Sequence, residues 1–388
     1  MTGRKPDTGG PPSRRRMRIF SSAVVDRARR AGNVLELPGG QILLPKVFGF
    51  CRGVERALEM MDAAVSSRRR TGGRLFLLGQ IIHNPWVNQH WQDQGVRILS
   101  PSQHDQPEGS VGPQDCVVIP AFGVPPAIQR RLEATGCEIV DTSCPDVRRL
   151  WKWAQEAAEA GYGVMIFGRA THDETVVTKS RLAEAGGKYL VAGDIDQVRR
   201  FCQLITGRLP AERLGELFGP EATNAEDLWA MERLAQLSQT TMLHSETMQV
   251  RQILRQAFLE HFGPDGLHER LRFQPTVCRA TQARQSAAVE LCRKGCDLVI
   301  VVGGFGSSNT RHLLEVARGY CPGYLIESSE AIRSGRELET YDFVADEPAV
   351  VRGWLPARRP LRIGVLAGAS SPEIVIGQVL EKLAKFLS

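Results

Sequence analysis

At 388 residues, 42% hydrophobic and 24% charged, the chain has the length and composition of a globular protein with several domains and a large buried core. No apolar run approaches the roughly 18 residues of a membrane span, so a helical membrane protein is excluded. The net charge of +6 is concentrated: residues 1–30 carry a net +7 and the remainder −1, which leaves the body without the electrostatic footprint of a nucleic-acid binder.

In chain order, residues 1–40 mix Pro, Gly and Arg (GGPPSRRRMR) and lack the apolar core of a secretory signal. They are expected to form a disordered basic tail, so that removing residues 1–30 leaves activity intact. With nine cysteines and no export signal, the protein is expected in the cytoplasm with its thiols reduced. From Gln41 onward, β-branched runs alternate with helical patterns. ILLPKVFGF, RLFLLGQII, CVVIPAFGV, CEIVDTSC, YGVMIFGRA, LAQLSQTT, LRFQPTVC, CDLVIVVGGFG and LRIGVLAGAS each end in small or polar residues where a helix follows. VERALEMMDAAV and RRLWKWAQEAAEA space their apolar residues three and four apart. The alternation predicts an α/β fold with mostly parallel sheets.

The strand ends repeat three times. One ends at a cysteine opening a helix (Cys51, Cys144, Cys278), and another ends 28 to 32 residues later at a polar residue (His83, His172, Ser307). A further strand end follows in each repeat: AFGV, QTT and AGAS. This predicts three related α/β units, 41–140, 141–270 with a helical insertion near 201–228, and 271–388 with the C-terminal segment, their polar turns gathered around one centre. Cys116, Cys137, Cys202, Cys292 and Cys296 sit in apolar strand or helix patterns and read as packed hydrophobes, and Cys321 is a turn thiol without an assigned role. Cys51, Cys144 and Cys278 lie instead at helix starts, which favour thiolate. Three converging thiolates suit an iron–sulfur cluster whose cubane form normally takes four, leaving one iron open. No CxxC pair marks a ligand set, so spacing alone leaves a structural role open.

Nine motifs in order, GFCRGVERA, IIHNPWVN, PAFGV, DTSCPDV, THDET, SQTTM, VCRATQARQ, GGFGSSNT and AGASSPE, resemble the LytB/IspH family of 4-hydroxy-3-methylbut-2-enyl diphosphate reductases, in its plant and cyanobacterial form, from about Val47 to Ile376. The resemblance implies three α/β units around a central 4Fe-4S cluster with three cysteine ligands, Cys51, Cys144 and Cys278, and one open iron. It implies a diphosphate substrate held by His83, His172, Ser307, Ser308, Asn309 and Ser370, a proton donor at Glu174, and Thr240 beside the substrate hydroxyl. The implied reaction is a two-electron reductive dehydroxylation to isopentenyl and dimethylallyl diphosphate, the last step of the non-mevalonate isoprenoid pathway. GGFGSS lacks the GxGxxG spacing and no flavin motif is present, so electrons are expected from an external ferredoxin or flavodoxin. The chain departs from the family at Gly306, usually asparagine, and Leu366, usually threonine; Phe122 replaces a histidine of the commoner bacterial form, whose role is not carried over. A paralogue reducing another diphosphate or allylic alcohol, and a non-catalytic cluster sensor, are the rival readings.

Overall fold

The structure, a computed structural model, describes residues 17–100, 103 and 106–388. In chain order its strands are β1 (Val34–Leu37), β2 (Gly40–Leu43), β3 (Leu75–Leu77), β4 (Arg97–Ile98), β5 (Cys116–Ile119), β6 (Glu138–Asp141), β7 (Gly163–Phe167), β8 (Tyr189–Ala192), β9 (Leu234–Ser238), β10 (Leu271–Phe273), β11 (Leu298–Val302), β12 (Gly323–Ile326), β13 (Glu337–Asp342), β14 (Glu347–Arg352) and β15 (Leu361–Ala367). The expected α/β class with mostly parallel sheets is what these strands form. The chain divides into two compact units, one made of the chain up to Ile98 with Ser286–Ser388, the other of Leu99–Gln285.

The first unit is built on a five-stranded sheet in the order β1-β2-β15-β11-β12, parallel except for the β1–β2 hairpin. Its central strands read as unbroken apolar runs because both faces are covered. Alternate residues serve opposite cores. Ile300, Val302, Ile363 and Val365 pack with Val375, Val379 and Leu383 of the helix Glu373–Leu387. Val299, Val301 and Leu366 pack with Leu313, Leu314 and Ala317 of the helix Ser308–Arg318. An antiparallel hairpin, β13–β14, and the parallel pair β3–β4 complete the unit.

The second unit holds an all-parallel sheet, β10-β9-β7-β8, and the parallel pair β5–β6. Met165 and Phe167 face a core with Phe201, Leu254 and Phe258, while Val164 and Ile166 face Leu150, Trp151 and Ala154. Between β8 and β9 lie the helices Ile195–Ile205 and Leu214–Ala222, which add Phe201, Leu214 and Phe218 to that first core.

The disordered tail expected over residues 1–40 is corrected from Met17 on. Ser22 caps the helix Ala23–Arg30, whose Val25 and Ala28 are fully buried in the core of the C-terminal helix. Phe20 is buried against the rings of Phe50, Trp86 and His90, at 5.4, 5.9 and 5.6 Å. Arg29 pairs with Glu373 and lies over the ring of Phe48. An eight-residue helix carrying three arginines hides its short apolar face in a pattern that reads as a basic tail. Residues 1–16 lie outside the described residues. No helix among the described residues is long and apolar enough to cross a membrane.

The buried N-terminal segment gives truncation at residue 30 a cost in stability that the sequence did not suggest. Phe20→Ala should destabilise the protein by about 3–5 kcal/mol, measured by denaturant unfolding. A chain beginning at residue 31 should melt well below the full-length protein. Coincident melting curves would show that the segment only decorates the fold.

Candidate active site

Parallel strands aim their carboxyl ends at ligand sites, and each residue singled out in the sequence follows such an end. In the first unit the turn after β15 is the hub. Ala369 accepts the Cys51 N–H through its carbonyl (3.2 Å), and its own N–H donates to Asn309 Oδ1 (3.0 Å). Ser370 Oγ lies within hydrogen-bond reach of the His83 carbonyl (3.3 Å) and Ser307 Oγ (3.4 Å). One network therefore joins Cys51, His83, Ser307, Asn309 and Ser370, all sequence-derived candidates.

Local chemistry sets each member. Ser307 is the N-cap of the helix Ser308–Arg318, taking the Thr310 N–H, so the helix start points its N–H groups beside buried Ser308 and Asn309. Ser308 Oγ sits 3.5 Å from His312 Nδ1. His83 precedes Asn84, the N-cap of the helix Pro85–Asp93, and buried Asn88 braces the loop by bonding the Ile81 N–H and the Ile82 and Asn84 carbonyls. At Gly304 a Cβ would stand 2.5 Å from the His83 carbonyl, so only glycine lets these two loops meet.

The second unit holds the titrating group. Glu174 lies in the first turn of the helix Asp173–Glu184, and His172 caps that helix, its Nδ1 accepting the Glu174 N–H at 3.3 Å. That bond leaves the proton of a neutral ring on Nε2, a donor. The Glu174 carboxyl is buried. Thr240, at the end of β9, donates its N–H to Oε1 (2.7 Å) and its hydroxyl to Oε2 (2.6 Å). Burial pushes this carboxyl up to about 7, against the pull of both Thr240 bonds. The Thr240 carbonyl in turn accepts the Cys278 N–H at 3.0 Å, which joins His172, Glu174, Thr240 and Cys278 in one chain.

Cys51 and Cys144 are N-caps, and Cys278 immediately precedes the helix Arg279–Arg293. All three are half-buried and free of disulfides. Cys51 Sγ accepts the Val54 N–H (3.5 Å), and Cys278 Sγ accepts the Thr281 N–H (3.4 Å) with the Thr281 hydroxyl at 3.2 Å. Sulfur acting as acceptor at a helix start is the donor chemistry that an iron site requires. Burial instead pushes the thiols of Cys202 and Cys296 up to about 12 and that of Cys292 to about 11, as expected of packed hydrophobes. Among the described residues no group of three or more His, Cys, Asp or Glu side chains could hold a metal ion; Cys144 and Cys278 belong to one unit and Cys51 to the other.

Sequence reading missed Thr281, Asn88 and the backbone role of Ala369. The spacing Cys-x-x-Thr at a helix start was the available signal for Thr281, since the third helical residue faces the cap. The two departures separate cleanly. Leu366 is buried in the core with Leu43 and Val299, whereas Gly306 is exposed, and a Cβ there would meet nothing within 4 Å.

Comparison with known proteins places this geometry in context. Residues 42–384 match the family model described as LytB protein. A relative from Synechococcus sp. is 34% identical over 370 residues, 94% of this chain and 90% of its own, and is named 4-hydroxy-3-methylbut-2-enyl diphosphate reductase. One from Thermosynechococcus vestitus with the same name is 33% identical, over 94% and 89%. Among solved structures, the E-1-hydroxy-2-methyl-but-2-enyl-4-diphosphate reductase from Plasmodium falciparum, 20% identical, superposes with a TM-score of 0.62 over 88% of this chain and 86% of its own. A second, described as the terminal enzyme of the non-mevalonate pathway and 24% identical, gives 0.53 over 89% and 99%. At those identities the structures establish the likeness of fold.

The burial of Glu174 is directly measurable. Its carboxyl band in infrared difference spectra, assigned by loss in Glu174→Gln, should half-titrate near pH 7. Thr240→Val removes a bond that favours the charged form and should move the midpoint higher. A midpoint near the ordinary carboxylate value would show the group to be solvated.

Proposed function

The chain belongs to the LytB family, and we propose that it is a 4-hydroxy-3-methylbut-2-enyl diphosphate reductase that removes the substrate hydroxyl with two electrons to yield isopentenyl and dimethylallyl diphosphate. The observation that carries this reading is the buried Glu174–Thr240 pair, hydrogen-bonded through the backbone to Cys278. It is an acid poised near neutrality beside a cysteine of the right kind to ligate iron.

Cys51, Cys144 and Cys278 are the residues that would hold the cofactor, a 4Fe-4S cluster with three cysteine ligands and one open iron. Bound there, the cluster supplies the electrons and the Lewis acidity that C–O cleavage demands. The protein's own part is binding and protonation. Ser307, Ser308, Asn309 and Ser370, with His83 and His172, offer hydroxyl, amide and imidazole donors, and the helix start at Ser308 adds backbone N–H groups for the diphosphate. Glu174 in its protonated form donates from Oε2 to Thr240 Oγ1 while Thr240 passes its own hydroxyl proton to the departing oxygen. One proton leaves the carboxyl and one arrives on the hydroxide, which departs as water. An acid that serves an anionic substrate has to be uncharged beforehand, and burial provides that. The electron donor on this reading is an external ferredoxin or flavodoxin, and three α/β repeats over 41–140, 141–270 and 271–388 remain the proposed domain plan.

Two experiments test the reading. Cys51→Ser, Cys144→Ser and Cys278→Ser should each lose most iron and acid-labile sulfide on anaerobic purification, while Cys292→Ser keeps both; equal iron in all four would remove the ligand assignment. Glu174→Gln should lower turnover about 10²- to 10⁴-fold with little change in substrate affinity. The wild-type rate should fall as pH rises through about 7, because the donor is then deprotonated. A rate that stays flat from pH 6 to 8.5 at saturating substrate would place the proton elsewhere.

A further inference from the structure

The loop that leads to Ser307 is Gly303-Gly304-Phe305-Gly306, three glycines in four residues. Glycine gives a loop its reach and removes its stiffness. Gly303 has a φ of 153°, Gly304 has to pass the His83 carbonyl, and Gly306 has open space around it. Backbone bonds from Gly303 N–H to the Ile326 carbonyl and from Ser307 N–H to the Gly304 carbonyl hold its two ends, and between them Phe305, its one side chain, has both handles taken. Its N–H donates to Glu327 Oε1 at 2.9 Å, and its ring lies 4.8 Å from that of Tyr341 on the β13–β14 hairpin.

The partners are themselves fixed. Glu327 follows β12 directly, and Gly303 N–H bonds the carbonyl of its neighbour Ile326. Tyr341 donates its hydroxyl to the Asp346 carbonyl across the hairpin, and its ring meets Phe343, over which Arg311 of the loop's own helix lies at 4.6 Å. Thr340 anchors the hairpin to β12 by bonding both the N–H and the carbonyl of Leu325. A cleft of about 270 Å³ lined by Phe305, Glu327, Thr340 and Val350 lies beside these contacts.

We infer that Glu327 and Tyr341 are positioning residues that hold the Gly303–Gly306 loop, through Phe305, in the shape that presents Ser307, Ser308 and Asn309 to the diphosphate. The inference rests on the diphosphate reading above. Burial pushes the Glu327 carboxyl up, so its place beside an anion-binding loop is costly for a group that merely fills space.

The test uses the cluster-loaded enzyme, with substrate KM and kcat from steady-state kinetics and the Kd of inorganic pyrophosphate from calorimetry. Glu327→Ala should raise both KM and Kd about three- to tenfold, the worth of one hydrogen bond, at nearly unchanged kcat. Glu327→Gln keeps an acceptor for the Phe305 N–H and should return to within about twofold of wild type. Tyr341→Ala should shift KM in the same direction and Tyr341→Phe should not; this pair decides the matter if Glu327→Ala folds poorly. Val344→Ser, at the exposed hairpin tip, is the neutral control. Unchanged KM in both alanine variants, or a loss confined to kcat, overturns the inference. Ser307→Ala in the same series separates the two readings: if it fails to weaken pyrophosphate, the diphosphate assignment itself is wrong, whereas weak binding there with a normal Glu327→Ala condemns only the positioning role.

Discussion

The hydrogen bonds made by the turn after β15 organise half of the candidate site. Ala369 spends both main-chain groups on it, one toward Cys51 and one toward Asn309. This is possible because β15 lies between β2 and β11, so the chain leaving each neighbour passes the same turn. The apolar alternation of LRIGVLA pins that strand, since a slip of one residue would move Ile363 and Val365 out of one core and Leu366 out of the other. Register in the sheet thus sets distances between polar atoms that never touch the sheet.

The two units prepare their residues by different physics. In the first, neutral groups are buried and cross-bonded: Ser307, Ser308, Asn309 and Ser370 are each less than a tenth exposed, and a buried hydroxyl or amide is tolerated only while its partners are present. In the second, a carboxyl is buried with two donors and still kept near neutrality, because desolvation outweighs both bonds. The first arrangement holds neutral donors in fixed places and the second holds a carboxyl that titrates near 7.

Much of this was legible in the sequence because parallel strands buried on both faces advertise themselves as apolar runs ending in glycine or polar residues. Every run singled out there contributes to a strand, and Cys51, Cys144, Cys278, His83, His172 and Ser307 were found by their place at the ends of those runs, whereas Glu174 came only from the family resemblance. What was hidden lacked such a marker. The helix Ala23–Arg30 buries only Val25 and Ala28 beneath three arginines, so charge masked its packing. Glu327 resembles any carboxylate after a strand, since nothing nearby in sequence shows that its partner is the backbone of Phe305, 22 residues before it. The Ala369 links use main-chain atoms, which no side-chain pattern reveals.

The first unit joins the beginning of the chain to its end. β2 pairs with β15, the Gly39 N–H bonds the carbonyl of Leu387, and the core around Val25 is closed by the last helix. The second unit, by contrast, is one continuous stretch. During synthesis it can fold as soon as it emerges, while residues 17–98 still lack the sheet and core partners that residues 286–388 supply. Until the turn after β15 has been made, the Cys51 N–H lacks its Ala369 partner. A nascent chain stalled before β15 would therefore be an open, oxidisable intermediate with a bare Cys51 thiol.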